Sequence, residues 1–153
     1  MFVLIAGCGR VGSSVARSML ADGHAVSCLD RDSESHARLE VGLDCSWEEA
    51  GGLFTVGTAL ESKALEEAGI EEADAFVAAT NGDNTNIVIA QIAQRRYEVE
   101  TVIARILDPL RAEWYREQGL KTICPTRVAI EMLEDKLRRA AGPPASSPVE
   151  GDG

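Results

Sequence analysis

The residues that could do chemistry here are three glycines and an aspartate. Gly7, Gly9 and Gly12 stand in Gly7-Cys8-Gly9-Arg10-Val11-Gly12, and Asp30 follows 18 residues after the last of them. Gly7 permits a tight turn out of a strand. Gly9 has no side chain to keep a pyrophosphate off the backbone, and Gly12 lets the next helix lie close on the sheet. The start of that helix offers unpaired N–H groups and partial positive charge to a phosphate. An acid about 20 residues beyond the turn can accept hydrogen bonds from the hydroxyls of an adenine ribose. The chemistry expected is noncovalent recognition of an adenosine nucleotide. Asp30 disfavours a 2′-phosphate and hence NADP, which leaves NAD(H), ATP, ADP and AMP. Arg31 either lies over the adenine or near a phosphate, or is an ordinary surface arginine. Cys8, within the phosphate turn, is either a small residue that fits there or a redox-sensitive thiol.

The elements that must hold these residues follow from the pattern on either side. Residues 2–6 are an apolar run without alternation, as in a strand buried on both faces. A helix after Gly12 carries Val11, Val15 and Met19 as a stripe, with Ala16 and Leu20 beside it, and Gly23 stops it. Residues 25–30 form a second strand, and Asp32 or Ser33 can cap a helix through about Val41. The acidic stretch 42–52 holds Trp47, which either covers the edge of the core or contacts a partner. Residues 53–56 are a third strand ending at Gly57-Thr58-Ala59, followed by a short helix over 61–68. A second half repeats the pattern. Strand 73–79 leads to Thr80-Asn81-Gly82-Asp83, where Asn81 or Asp83 can cap a helix over 84–96. Strand 101–106 carries Arg105 near its end. Asp108-Pro109 is a strong helix start, running to Gln118. Strand 122–124 is closed by Pro125, and a last helix covers 126–140.

Six strands alternating with helices in two halves predict an α/β fold, a doubly wound parallel Rossmann-like sheet of strand order 3-2-1-4-5-6. Its ligand belongs at the switch between strands 1 and 4. That geometry gathers the turn from Gly7 to Gly12 with Asp30, Thr58, Thr80, Asn81 and Arg105 along one edge. Residues 1–141 are one domain, and 142–153 are expected to be a disordered tail.

Composition narrows the partners. The formal net charge of −10 argues against nucleic acid and against an anionic membrane surface. No apolar run reaches the length of about 18 residues that a transmembrane helix needs. The first strand lacks the flanks of a signal peptide. Cys8, Cys28, Cys45 and Cys124 are scattered, with neither a CxxC pair nor metal-ligand spacing, and read as free thiols in a reducing cytosol. No metal site is expected. Nor is a catalytic one: His24 and His36 lie in the first half, away from the reaction position, and neither Tyr97 nor Tyr115 is followed by a catalytic lysine.

The most specific stretch lies between Gly57 and Asn86. It reads Gly57-Thr58-Ala59, then Leu65-Glu66-Glu67-Ala68-Gly69-Ile70-Glu71-Glu72-Ala73-Asp74-Ala75, then Ala79-Thr80-Asn81-Gly82-Asp83-Asn84-Thr85-Asn86. Val102-Ile103-Ala104-Arg105, Gly119-Leu120 and Cys124-Pro125 complete the pattern. In these motifs the chain, from its start to about residue 134, resembles the nucleotide-binding N-domain of Trk/Ktr-type potassium-transport regulators, the RCK, KTN or TrkA-N domain. The resemblance implies phosphate contacts from the turn, that is Gly7, Gly9, Arg10, Val11 and Gly12 around Cys8. It implies ribose contacts from Asp30 and adenine contacts from Thr58, where family members often carry an acid. Thr80 and Asn81 would line the ligand, and Arg105 would approach it. Guanidinium chemistry independently suits Arg10 and Arg105 to phosphate oxygens; a surface charge at a strand end is the other reading of Arg105.

The function implied is that of a cytosolic, non-enzymatic regulatory subunit that senses nucleotide and gates potassium flux. It would work through an integral-membrane channel or transporter subunit, peripheral to the inner face of the membrane. The resemblance also implies a homodimer, with dimers building a ring, octameric in the fullest case. Ile130, Met132, Leu133 and Leu137 of the last helix would pack on a twin subunit, or close the monomer's own core. Full-length members usually carry a second small lobe after this helix; either an isolated N-domain or a single-lobe protein would read as this chain does. The alternatives are an NAD-dependent oxidoreductase and a free-standing nucleotide sensor.

Overall fold

The computed structural model describes residues 1–143. In chain order the elements are β1 (Phe2–Ala6), α1 (Arg10–Ala21), β2 (Ala25–Asp30), a 3-10 turn at Ser33–Ser35 running into α2 (His36–Leu39), and β3 (Leu53–Val56). Then come α3 (Ser62–Glu67), a 3-10 turn at Ile70–Glu72, β4 (Ala75–Ala78), α4 (Asp83–Arg95), β5 (Thr101–Arg105), α5 (Pro109–Glu117), β6 (Lys121–Ile123) and α6 (Pro125–Ala141). The six strands make one sheet in the order β3-β2-β1-β4-β5-β6, parallel throughout, as the alternation of strands and helices predicts. Every crossover therefore delivers its loop to the same edge. Asp30, the last residue of β2, ends one rung past Ala6 of β1, which pairs with Leu29 on one side and Ala78 on the other.

The central strands are buried on both faces. On one face Leu4, Ala6, Leu29 and Phe76 pack against Leu65, Ile87, Ile89 and Ala90 from α3 and α4. On the other, Val3, Ile5, Val26 and Cys28 pack against Ala16 of α1, Leu39 of α2 and Trp47. Trp47 is fully buried, and its indole Nε1 donates to the Leu53 carbonyl at 2.9 Å. It is a core residue of the 42–52 loop, inside the protein and out of reach of a partner. The cluster on that second face draws on β1–β4 and does not reach β5. Over β5 burial alternates, and none of the residues of α6 is buried. Ile130, Met132, Leu133 and Leu137 are 45–70% exposed, so they do not close the monomer's own core.

Several boundaries differ from expectation for local reasons. The first helix begins at Arg10 with Gly9 as N-cap, so Gly12 lies inside its first turn. The helix expected through Val41 shrinks to a 3-10 turn plus four residues. The Asp32 carboxylate accepts the Glu34 N–H and tightens the entry, and Gly42 at φ 83 turns the chain away. α4 takes no side-chain cap from Asn81 or Asp83. Gly82 is its N-cap, and the Asp83 carboxylate instead accepts the N–H groups of Leu107 and Asp108. Asp108 caps α5 as read, accepting from Leu110 and Arg111. Pro125 opens α6 where it was read as closing the strand, with Cys124 as N-cap. From residue 144 on, the expected tail lies outside the described residues.

Candidate nucleotide site

A cavity of about 330 Å³ opens at the carboxyl edge of the sheet, where β1 and β4 diverge. Its lining comes from four loops: Gly7 and Gly9 after β1, Asp30, Arg31, Asp32, Ser35 and Arg38 after β2, Gly57, Thr58, Ala59 and Leu60 after β3, and Ala79, Thr80, Asn81 and Thr85 after β4. The three glycines have the separate uses their spacing predicts. Gly7 has φ +98, and a Cβ there would lie 2.6 Å from the backbone of Ala79 and Thr80. A Cβ on Gly12 would sit 1.8 Å from the Gly7 carbonyl oxygen. Gly9 has no atom of the described residues within 4 Å of such a Cβ, so its backbone faces open space. The first bond into α1 from this turn is Ser13 N–H to the Gly9 carbonyl at 3.0 Å. The N–H groups of Arg10, Val11 and Gly12 precede it and have no intrahelical acceptor. Those amides and the open face of Gly9 fit a phosphate.

Asp30 is half-buried and already holds the turn together. Its Oδ2 accepts the Cys8 N–H at 2.7 Å and its Oδ1 the Asp32 N–H at 2.9 Å. Each oxygen keeps a lone pair for a ribose hydroxyl. The acid thus positions the phosphate turn and faces the pocket at once.

Across the switch, Asn86 of α4 is 1% exposed and ties two strand ends. Its Oδ1 accepts from Thr80 N–H at 2.9 Å and from the Thr80 hydroxyl at 2.6 Å. Its Nδ2 donates to the carbonyls of Thr80, at 3.0 Å, and Arg105, at 2.8 Å. Thr80 therefore lines the pocket with its hydroxyl already committed to Asn86.

Gly7, Gly9, Asp30, Arg31, Thr58, Thr80 and Asn81 are brought together as the sequence predicts. The others are placed differently. Arg10 is exposed on the first turn of α1, outside the lining, and Val11 is 44% exposed beside it. Only their backbone N–H groups point toward the cleft with the helix axis. Arg105 is outside the lining too, with a terminal nitrogen donating to the Thr80 carbonyl at 2.6 Å. It braces the wall rather than reaching through it. The Cys8 side chain is fully buried in the core behind the turn, and only its N–H serves the site.

Cys28 lies beside Cys8. Its thiol is pushed far above the ordinary thiol range by its hydrogen bond with Cys8, then by burial, then by the charges of Cys8 and Asp30. Cys8 is itself fully buried, out of reach of oxidants in solvent, which favours the reading of it as a small residue that fits. Sequence reasoning missed Ser35 and Arg38, because both lie on the truncated helix after β2. It missed Asn86 because a buried asparagine within a helical pattern gives no periodic signal.

The TrkA-N domain model matches residues 3–126. The Trk system potassium uptake protein TrkA of Streptomyces coelicolor is 41% identical over 152 residues, which is 99% of this chain and 65% of that protein. A TrkA homolog of Methanothermobacter thermautotrophicus is 36% identical over 140 residues, 91% of this chain and 61% of that one. The chain spans less than two thirds of the length of these curated relatives. Among solved structures, the Kef CTD of Shewanella denitrificans in its AMP-bound form has a TM-score of 0.75 at 25% identity, covering 94% of this chain and 83% of its own. The GsuK channel bound to NAD has a TM-score of 0.73 at 20% identity, covering 92% of this chain and 24% of its own; that likeness shows the fold alone.

Proposed function

The chain belongs to the TrkA-N domain family, and from that premise we propose that it is a nucleotide-sensing regulatory domain of a potassium-transport system. The observation that carries this reading is the convergence of Gly9, the amide-rich start of α1 and Asp30 on one cavity at the strand-order switch. At about 330 Å³ the cavity falls within the range of ligand pockets, roughly 300–1,000 Å³. The ligand proposed is an adenosine nucleotide, NAD(H) or ATP, ADP or AMP, with its phosphates on the helix start and its ribose on Asp30. Arg10, exposed on the first turn of α1 and outside the lining, would have to swing toward the cleft to meet the outer phosphates.

Regulation would then be differential binding: a nucleotide shifts the protein between arrangements only by preferring one of them. The exposed apolar face of α6 supports a homodimer, and ring assembly on an integral-membrane channel or transporter subunit would transmit the bias. On this reading the domain works in the cytosol at the inner face of the membrane. Among the described residues, no helix is long and apolar enough to cross a membrane.

Two substitutions test the site by calorimetry against adenosine, AMP, ATP, NAD and NADH. Asp30→Ala is expected to weaken every adenosine ligand by about 1–3 kcal/mol, because buried ribose hydrogen bonds are lost. Unchanged affinity removes Asp30 from the site. Arg10→Ala is expected to weaken ATP and NAD more than adenosine, and equal losses contradict its phosphate role. Mass spectrometry of the small molecule that co-purifies identifies which nucleotide is held.

A further inference from the structure

Ser35 and Arg38 line the nucleotide cavity but take no part in the phosphate and ribose contacts described above. They stand three apart, at the N-cap and in the body of α2, and so lie side by side on the helix. Leu39 and His36 fasten that helix from the core side. Leu39 is fully buried. His36 Nε2 lies 2.8 Å from a Glu48 oxygen, and its ring meets Phe54 edge-on with centroids 5.2 Å apart. A helix this short is thus held still, with an arginine turned to the cavity.

Arg38 is anchored at both ends. Its backbone carbonyl accepts a hydrogen bond from the Arg17 guanidinium of α1, and its own Nη1 donates to the hydroxyl of buried Ser35 at 3.2 Å. That bond uses an N–H in the guanidinium plane, which leaves the flat face open. Among the described residues Arg38 pairs with no carboxylate. Resting on the nucleotide reading above, we propose that Arg38 contacts the base. Its guanidinium lies flat on the purine ring and gives the site a preference for purine over pyrimidine nucleotides.

Strand order decides which part of the ligand Arg38 meets. The phosphate turn follows β1, Asp30 ends β2, and β3 lies beyond β2. With phosphates on the turn and ribose on Asp30, the base falls among the loops after β2 and β3. Leu60, after β3, lines the same cavity and is more than half exposed although large and apolar. A flat base would cover it. Guanidinium stacks on aromatic faces, and the strength of such stacking varies with the base. An anionic group at this place is disfavoured, because the carboxylates of Asp30 and Asp32 are both in the lining; a neutral base is not repelled. The bond to Ser35 also restricts the arginine beforehand, so binding costs it less rotamer freedom.

The test is calorimetry of the wild-type chain, Arg38→Ala and Arg38→Lys with adenosine, AMP, ADP and UMP. Arg38→Ala is expected to weaken adenosine, AMP and ADP by a similar factor, on the order of tenfold, and UMP by less, so the preference for AMP over UMP shrinks. Arg38→Lys is expected to lose the same preference, because an ammonium keeps the charge without the plane. Circular dichroism establishes that each variant is folded, and the lysine variant carries the test if the alanine variant is not. A loss that grows from adenosine to ADP makes Arg38 a phosphate residue and overturns the assignment. So does a lysine variant with the wild-type preference, or folded variants with undiminished affinity. If affinity falls in Asp30→Ala but not in Arg38→Ala, the nucleotide reading stands and the role of Arg38 falls. Wild-type protein that binds none of the four ligands removes both.

Discussion

Gly12→Ala is expected to lower the unfolding free energy by about 3 kcal/mol or more, whereas Gly9→Ala is expected to change it by less than about 1 kcal/mol. The difference rests on what a methyl group meets. At Gly12 it would lie 1.8 Å from the Gly7 carbonyl oxygen, which is backbone and cannot rotate away. Gly7 is in turn wedged against Ala79 and Thr80, so relief at one contact worsens the other. At Gly9 the methyl enters open space, and the residue's φ of −73 suits alanine. That space is where a phosphate would approach. Gly9→Ala is therefore expected to fold normally yet bind nucleotide at least about tenfold more weakly, as a methyl group on the N-cap residue obstructs the ligand. Thermal unfolding and calorimetry on the same two variants separate the effects. A Gly9→Ala protein with undiminished affinity would mean that no phosphate reaches this turn.

Asn86→Ala is expected to cost about 3 kcal/mol, the range of a broken buried hydrogen-bond network. Asn86 makes four hydrogen bonds to Thr80 and Arg105 and is 1% exposed. Alanine would strand the Thr80 N–H and the Arg105 carbonyl, and would leave the Thr80 carbonyl to the Arg105 guanidinium alone. Asn86→Asp is expected to be at least as costly, because it loses both donated bonds and places a charge at a buried point. Denaturant unfolding measures both. A loss below about 1 kcal/mol would show that water replaces the amide at this junction.

What could be read from the residues alone was what repeats or what has a single physical use. The apolar runs of β1 and β4, the glycine spacing and the Asp108-Pro109 start needed no tertiary context, and each stands where it was expected. The helix after β2 did not. Its residues can cap and continue a helix, but only Leu39 and Ser35 find cover, and Trp47 takes the place in the core that a longer α2 would fill. Asn81 and Asp83 both looked like caps for α4. Asp83 is drawn instead to the N–H groups of Leu107 and Asp108, residues that meet it only once the sheet has formed.

The site divides in the same way. The glycine turn and Asp30 were legible because backbone conformation and close approach admit few residue types. Arg38, Ser35 and the Asn86 clamp were not, since their roles come from segments separate in the chain meeting at one edge.

Sequence by itself determined the order of elements, the parallel doubly wound sheet and the edge on which a nucleotide would lie. Local periodicity and the handedness of crossovers leave few other solutions. Only the tertiary structure decided that Asp30 spends its carboxylate on the turn as well as facing the ligand. It also decided that Arg10 and Arg105 stand outside the lining, and that α6 buries nothing. A side chain's direction and its competing partners depend on neighbours distant in sequence, and no local pattern encodes them.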